Sequence, residues 1–433
     1  MNKRFIQTFL LSGVVSVGLL QAQHGQTSYA RLESCNNTYG SAPVKERYVS
    51  DIFTNIKTST VEYGAAIGFS GTIQKLSLKI YEPSEPTDDV TKRPVIILAH
   101  GGSFVGGAKE QLDPLCIAYT RKGYVCASID YRLIPFTGAA PTEKQLAIAP
   151  FFASQDLKAA VRFFRKSAAG TNPYKIDPNF IAVGGISAGS IAALIATYLD
   201  EKDAITPELQ GLLASIGGIE GVSGNVGYCS KVKAVLNLSG ALPTPTWIGI
   251  WDVPLASFHG TADATVPVDC GLIGTTPACG SRALSRWATR QGTRNWFVPV
   301  KDGGHDELYI NPKYAGILQG FVYGSAIFLK SVFCPFGYAP EKNAALAEAT
   351  SPMRVYPNPS TDQMTVEMEA NVANTPYRMT ILDAMGRQLR TFQSQNESQI
   401  VLNKNDFGLG LFFLQVRFEN DVLPSITRKI VFE

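Results

Sequence analysis

The sequence predicts an α/β fold with a mostly parallel sheet, followed by a small all-β sandwich. Three observations carry that prediction. From Leu76 to Phe333, short apolar runs alternate with helix-length segments, as strands and crossover helices do in a parallel sheet. Gly185-Ile186-Ser187-Ala188-Gly189 lies between an apolar run and a helical run, so a sharp strand-to-helix turn is expected there. Past residue 353 the apolar period becomes two: Met364, Val366 and Met368 alternate with Thr365, Glu367 and Glu369.

A chain of 433 residues has room for one large domain and a smaller one. It is 45% hydrophobic and 17% charged, enough for a substantial core. The formal net charge is +3 and there is no long basic run, so nothing points to nucleic acid or to an electrostatic membrane partner. Residues 1–22 read as a secretory signal peptide. Lys3 and Arg4 precede the apolar stretch Phe5 to Leu20, and Leu20-Gln21-Ala22 offers a cleavage site. That stretch is shorter than the ~20 residues a bilayer span needs. Export permits disulfides. Of the seven cysteines, Cys270 and Cys279 bracket a Gly/Thr/Pro loop and are the favoured pair, while Cys126 sits in an apolar strand as a buried thiol. The odd count leaves at least one thiol free or paired between chains. No C-x-x-C or Cys/His cluster suggests a metal.

Taken in order, residues 23–60 show no strong pattern. Leu76 to Tyr81 alternates as a strand, and Pro94 to Ala99 is continuously apolar, the mark of a strand buried on both faces. It runs into His100-Gly101-Gly102-Ser103-Phe104. Leu112 to Lys122 is a helix closed by Gly123, and Tyr124 to Ile129 the next strand. Phe151 to Ser167 is an amphipathic helix, with Leu157, Ala160, Val161 and Phe164 on one face and Gln155, Asp156, Lys158, Arg162 and Arg165 elsewhere. A strand over 180–185, the serine turn and a buried helix over 191–199 follow. The Gly/Ser-rich stretch 201–230 is either a cap over the site or a surface loop with one short helix. Val232 to Leu238 and Pro254 to Phe258 are strands, Ser281 to Arg290 a helix, and Asn295 to Val300 the last main strand. Tyr314 to Phe333 is apolar enough to suggest a membrane span, but Gln319 and Lys330 interrupt it and it reads as a packed final helix. The first domain thus covers 23–334, an Ala/Glu/Pro-rich linker 335–352, and the sandwich 353–433. In the sandwich Tyr377, Met379 and Ile381 alternate with Arg378, Thr380 and Leu382; Asp383 to Gly386 is a turn; Leu411 to Phe418 and Ile426 to Phe432 are strands.

The serine turn invites nucleophilic chemistry. Ser187 would stand strained and exposed at a helix N-terminus, where the dipole and free amides favour developing negative charge. A serine nucleophile needs a base, and a carboxylate to orient that base. The sequence holds four histidines: His24, His100, His259 and His305. Functional loops in a parallel sheet follow strand C-termini. His305, in Asp302-Gly303-Gly304-His305-Asp306-Glu307 directly after the last strand, is the candidate base. Asp263, in His259-Gly260-Thr261-Ala262-Asp263 after the preceding strand, is the candidate acid, ahead of Asp252 and Asp302. His259 reads as a hydrogen-bonded support for the site and not as a catalyst. The tetrahedral oxyanion needs amide donors, expected from Ala188, Gly102 and Ser103 with His100 bracing their loop. Each such donor is worth roughly 2.7–4 kcal/mol in the barrier.

With these residues assembled, His100-Gly101-Gly102, Gly185-Ile186-Ser187-Ala188-Gly189, His259-Gly260-Thr261-Ala262-Asp263 and Gly304-His305 resemble the α/β-hydrolase superfamily. The likeness, over roughly residues 70–333, is nearest to the carboxylesterase branch whose H-G-G-G loop is shared by hormone-sensitive-lipase-like and acetyl- or feruloyl-esterase-like enzymes. It implies a serine carboxylic-ester hydrolase working through an acyl-enzyme, without cofactor or metal, on short-chain acyl or plant-polysaccharide-linked esters. Two positions depart from the pattern: Ser103 replaces the third loop glycine, and Ser190 stands where many relatives carry glycine. In the tail, Val355-Tyr356-Pro357-Asn358-Pro359-Ser360, Asp383-Ala384-Met385-Gly386-Arg387, Gly408-Leu409-Gly410-Leu411-Phe412 and Lys429-Ile430-Val431 resemble the C-terminal sorting domain of type IX secretion in Bacteroidetes. That likeness implies export through the periplasm, recognition by the type IX secretion machinery, and a secreted or surface-attached product. A carbohydrate-binding sandwich is the alternative for the tail, and its few exposed aromatic positions speak against it. For the whole chain the rivals are a serine peptidase of prolyl-oligopeptidase type, for whose extra N-terminal domain residues 23–70 are too few, a lipase, and a non-catalytic hydrolase-fold surface-binding protein.

Overall fold

The computed structural model describes residues 38–39, 45–85, 88, 90–334, 353–368, 376–383, 388–394, 398–418 and 426–432. The signal-type stretch 1–22, the linker 335–352 and residues 384–386 of the expected turn lie outside them.

Eight strands form the main sheet: β1 (Ile56–Ile67), β2 (Ile73–Pro83), β3 (Arg93–Ala99), β4 (Val125–Ile129), β5 (Ile176–Ile186), β6 (Ala234–Leu238), β7 (Leu255–Gly260) and β8 (Asn295–Val300). Their spatial order is β8-β7-β6-β5-β3-β4-β2-β1. Every neighbouring pair from β8 to β4 is parallel, and β2 joins β4 and β1 antiparallel. The continuous apolar runs are explained by burial on both faces. On β3, Val95, Ile97 and Ala99 enter one core, and Ile96 and Leu98 the other. Helices α1 (Asp113–Arg121) and α6 (Pro312–Phe333) cover the second face; α2 (Glu143–Ala169), α3 (Ala188–Tyr198) and α5 (Ser281–Arg290) cover the first. Each large apolar side chain so buried contributes about 1.5–3 kcal/mol relative to exposure.

Strand β1 carried no legible signal. It is the sheet's edge, half exposed, and it presents Lys57, Thr58, Ser59, Thr60 and Glu62 where alternation would need apolar residues. Charge and a bulge between Glu62 and Gly64 blunt it, as edges require. Helix α2 begins at Glu143, eight residues before the expected Phe151, with Pro150 inside it. Thr142 caps it: its hydroxyl accepts from Gln145 N–H, while the Gln145 side chain accepts from Thr142 N–H at 2.8 Å.

The polar face of α2 is not solvated. Gln155, Asp156, Lys158 and Arg162 are all buried. What covers them is part of the stretch expected as a cap or loop: the turns that follow α4 (Pro207–Ser215). Asp156 accepts from Arg132 Nε at 3.0 Å and from Ser223 Oγ at 2.6 Å. Gln155 donates to the carbonyls of Ile216 and Gly218, and Lys158 and Arg162 pair with Glu220. On the other side, Ala65 N–H of β1 donates to Ser223 O. Among the described residues, the hydrogen bonds of 216–231 reach neither Ser187 nor the loops after β3, β7 and β8.

Helix α6 is long and apolar enough to cross a membrane by length and composition. Here it packs on the sheet: Phe321 stacks on Trp296 and meets Phe258, and Phe333 meets Phe180. A hairpin of Cys270–Ile273 and Thr276–Gly280 is bridged by the Cys270–Cys279 disulfide. Cys334 is also disulfide-bonded. Cys116 and Cys126 are buried thiols, and Cys229 is an exposed one.

The tail folds as two antiparallel sheets. One contains β9 (Met353–Tyr356), β10 (Gln363–Met368) and β13 (Gln399–Asn403). The other contains β11 (Tyr377–Asp383), β12 (Gln388–Ser394), β14 (Gly410–Phe418) and β15 (Ile426–Phe432). The alternating Met364, Val366, Met368, Tyr377, Met379 and Ile381 all face inward, with Leu402, Leu414, Val416 and Ile430.

Candidate active site

The three strands β5, β7 and β8 end on the same side of the sheet, because they run parallel. Their loops deliver Ser187, Asp263 and His305. Ser187 sits at the β5–α3 turn with φ 52° and ψ −120°, a strained conformation for a residue with a side chain. What forces the turn is close packing. A Cβ on Gly189 would come within 2.1 Å of the Ala99 carbonyl oxygen, so only glycine lets α3 start so near the end of β3. Ser187 N–H donates to Leu238 O, fastening the turn to β6.

The Ser187 hydroxyl lies 2.7 Å from His305 Nε2, and His305 Nδ1 lies 2.6 Å from Asp263 Oδ2. A carboxylate only accepts, so Nδ1 carries the proton and Nε2 is free to take one from the serine. Asp263 Oδ1 accepts from the N–H groups of Thr265 and Val266, at 2.9 and 2.8 Å. Burial alone would raise the Asp263 pKa. The hydrogen bonds from His259, His305 and Val266 outweigh it and hold the carboxyl well below the usual range. Asp252 serves elsewhere, accepting from Val253 and Gly249 N–H. Asp302 is exposed, and its described hydrogen bonds go to Thr261 and Tyr314.

The loop after β3 is the third component. Gly102 has φ +115°, and Val105 and Gly106 donate to its carbonyl. This turns the loop back on itself and leaves Ser103 and Phe104 also at positive φ. Among the described hydrogen bonds, none uses the N–H of Gly102, Ser103 or Ala188. His100 is buried, donates from Nδ1 to Gly101 O at 2.7 Å, and stacks on Tyr131. Tyr131 in turn donates to His100 O. Burial pushes the His100 pKa down, so the ring braces the loop as a neutral group.

His259 is fully buried beside the acid. Its Nδ1 lies 2.8 Å from Ser281 Oγ, and its Nε2 lies 3.0 Å from Val266 O and 3.2 Å from Asp263 Oδ2. Sequence reasoning missed Asn237 and Ser281 and marked Ser190 only as a departure from the family pattern, without a role; the three stand behind it. The available signal was Asn237 itself, one amide inside the otherwise apolar strand Ala-Val-Leu-Asn-Leu. Among the described residues no cluster of three or more His, Cys, Asp or Glu could hold a metal ion.

Residues 78–242 match the family model BD-FAE, and residues 354–433 match the model for a secretion system C-terminal sorting domain. Among curated proteins, the chain is 33% identical over 116 residues to carboxylesterase 3B of Mus musculus, covering 27% of this chain and 19% of that one. It is 26% identical over 186 residues to the non-reducing polyketide synthase ausA of Aspergillus calidoustus, covering 42% of this chain and 7% of that one. The chain therefore spans under a fifth of the length of either relative. Among solved structures, esterase 2 of the planctomycete Thermogutta terrifontis with propionate bound aligns with a TM-score of 0.48 at 19% identity, over 65% of this chain and 96% of that one. The same enzyme phosphorylated by paraoxon aligns with a TM-score of 0.47 at 21% identity, over 65% and 96%.

Proposed function

We propose that this chain, an α/β-hydrolase domain joined to a secretion sorting domain, is a secreted serine carboxylic-ester hydrolase. One observation carries the reading: Ser187, His305 and Asp263 form a continuous hydrogen-bonded array, with the serine held strained at a helix N-terminus. Ser187 Oγ attacks the ester carbonyl as His305 Nε2 takes its proton. The carbonyl oxygen becomes an oxyanion, received by the N–H groups of Gly102, Ser103 and Ala188. His305 then gives the proton to the departing alkoxide, and an acyl-Ser187 ester remains. Water, deprotonated by the same His305, cleaves that ester and releases the acid. Asp263 orients His305 and stabilises its imidazolium. No step calls for a metal or cofactor.

The substrates are short-chain acyl esters or esters carried on plant polysaccharide. The family-model match over 78–242 supports ester hydrolysis, and the sorting-domain match fits work outside the cell. The tail serves as the address read by the type IX secretion machinery after passage into the periplasm. Hydrolysis of p-nitrophenyl acetate, butyrate and palmitate by the chain, beside Ser187→Ala, tests the reading. Cleavage of the short esters with loss of at least about 10³-fold in the variant is expected. Equal inactivity of both folded proteins on all three esters would sink it. Acetylated and feruloylated xylan are the substrates to try next.

A further inference from the structure

Behind the Ser187–His305–Asp263 array runs a second, fully buried hydrogen-bonded chain. It starts on the nucleophile helix: Ser190 Oγ lies 2.6 Å from Asn237 Oδ1 on β6. Asn237 Nδ2 lies 3.0 Å from Ser281 Oγ at the start of α5. Ser281 Oγ lies 2.8 Å from His259 Nδ1, and His259 Nε2 lies 3.2 Å from Asp263 Oδ2. Ser190, Asn237, Ser281 and His259 are all inaccessible to solvent. Ser190 is one of the two positions at which the sequence departs from the pattern it resembles, and the mechanism above uses none of the four.

The direction of every bond in this chain follows from one backbone group. Gly240 N–H can only donate, and it lies 3.0 Å from Asn237 Oδ1. That oxygen is therefore the acceptor, and the amide nitrogen must face Ser281. Ser281 accepts from Asn237, so its own hydrogen goes to His259 Nδ1. The ring proton of His259 is then on Nε2. The far end requires the same answer, because Val266 O and the Asp263 carboxylate can only accept. Gly240 has no room for another residue: a Cβ would meet Ser190 Oγ at 2.5 Å and Asn237 Oδ1 at 2.6 Å.

We infer that His259 is a positioning residue for the active site, held neutral with its proton on Nε2 by the Asn237–Ser281 chain, and that it fixes the orientation of Asp263. The inference rests on the hydrolase reading. With Thr265 and Val266 N–H on Oδ1 and His259 on Oδ2, the carboxylate cannot rotate away from His305. The chain also ties that orientation to the helix bearing the nucleophile. The ionisable groups facing Asp263 are His259 from β7, His305 from the loop after β8, and Tyr309, whose hydroxyl is held by Ser239.

Two measurements on the full chain test this. The first is the ¹⁵N spectrum of the imidazole rings at neutral pH, with selective histidine labelling. A bare Nδ1 and a protonated Nε2 on His259 are expected; a proton on Nδ1, alone or with Nε2, overturns the inference. The second is the pH profile of kcat/KM on p-nitrophenyl acetate for the wild type, His259→Leu and His259→Gln. Without the His259 donor, more negative charge stays on Oδ2 and favours the imidazolium of the base. His259→Leu should lose about 10–100-fold in kcat with little change in KM, and its acid limb should move to higher pH. His259→Gln, which can again place an N–H near Oδ2, should recover most of both. A wild-type profile in His259→Leu, or equal losses in both variants with unmoved limbs, overturns the inference. If His259→Leu does not fold, the ring spectrum and His259→Gln decide alone. A wild type inactive on every ester defeats the hydrolase reading, while the ring spectrum still judges the hydrogen-bond direction independently.

Discussion

At the scale of single residues, the site is ordered by partners that leave each polar atom one hydrogen-bond direction. Asp263 is the clearest case, since its two oxygens receive two backbone N–H groups and two imidazoles. Replacing it with asparagine keeps the shape but presents an N–H or a neutral oxygen to His305, and so favours the wrong tautomer. Asp263→Asn is expected to lose about 10⁴-fold in kcat on p-nitrophenyl acetate. The same carboxyl leaves a mark on stability. Its folded pKa lies below the unfolded value, ordinarily about 3.9, so its stabilisation is complete above that value and is lost as pH falls through it toward the folded one. Urea midpoints measured from pH 5 to pH 3 should therefore fall less steeply for Asp263→Asn than for the wild type. An identical slope in the two proteins would show that Asp263 is not held as described.

At the scale of elements, helix α2 shows how a surface pattern can be buried. Its apolar face packs on the sheet, and its polar face is sealed by 216–231, whose Glu220 pairs with Lys158 and Arg162, and by Arg132 from the segment after β4, which pairs with Asp156. Such a face is stable only while complete. Removing one partner strands the other charge without water, which typically costs about 3–5 kcal/mol. Asp156→Ala should lower the unfolding free energy by about that amount in urea titration. Because the Asp156 contacts include Ser223, the variant should also loosen 216–231, seen as faster amide exchange there than in α3. A change below about 1 kcal/mol would mean that the polar face is solvated in solution.

At the scale of the whole molecule, the eight-stranded sheet and the sandwich keep separate apolar cores. The residues of the sheet's two apolar layers all precede 335, and those of the sandwich all follow 352. A chain ending after residue 334 should then keep its p-nitrophenyl acetate activity within about two-fold, since a domain with its own core folds alone. In a host with a type IX system the same truncation should hold the enzyme in the periplasm. Export at the full-length rate would remove the tail's assigned role.

Much of this was legible along the chain. The strands β3 to β7 announced themselves because burial on both faces demands mainly apolar runs, and the inward faces of β10 and β11 because one-sided burial demands alternation. The glycines around Ser187 and the loops after β3, β7 and β8 could be placed for the same kind of reason, since a parallel sheet puts its strand ends side by side. These are local demands, written within a few residues. What only the tertiary structure decided is what depends on partners far away in sequence. Edge strand β1 exists because β2 pairs with it, not because of its own composition. The charges of α2 are interior because a segment some 60 residues later covers them. Asn237, Ser281 and His259 become one directed chain only when β6, α5 and β7 meet. Hydrophobic periodicity is a property of a segment, whereas the satisfaction of a buried polar group is a property of the space around it.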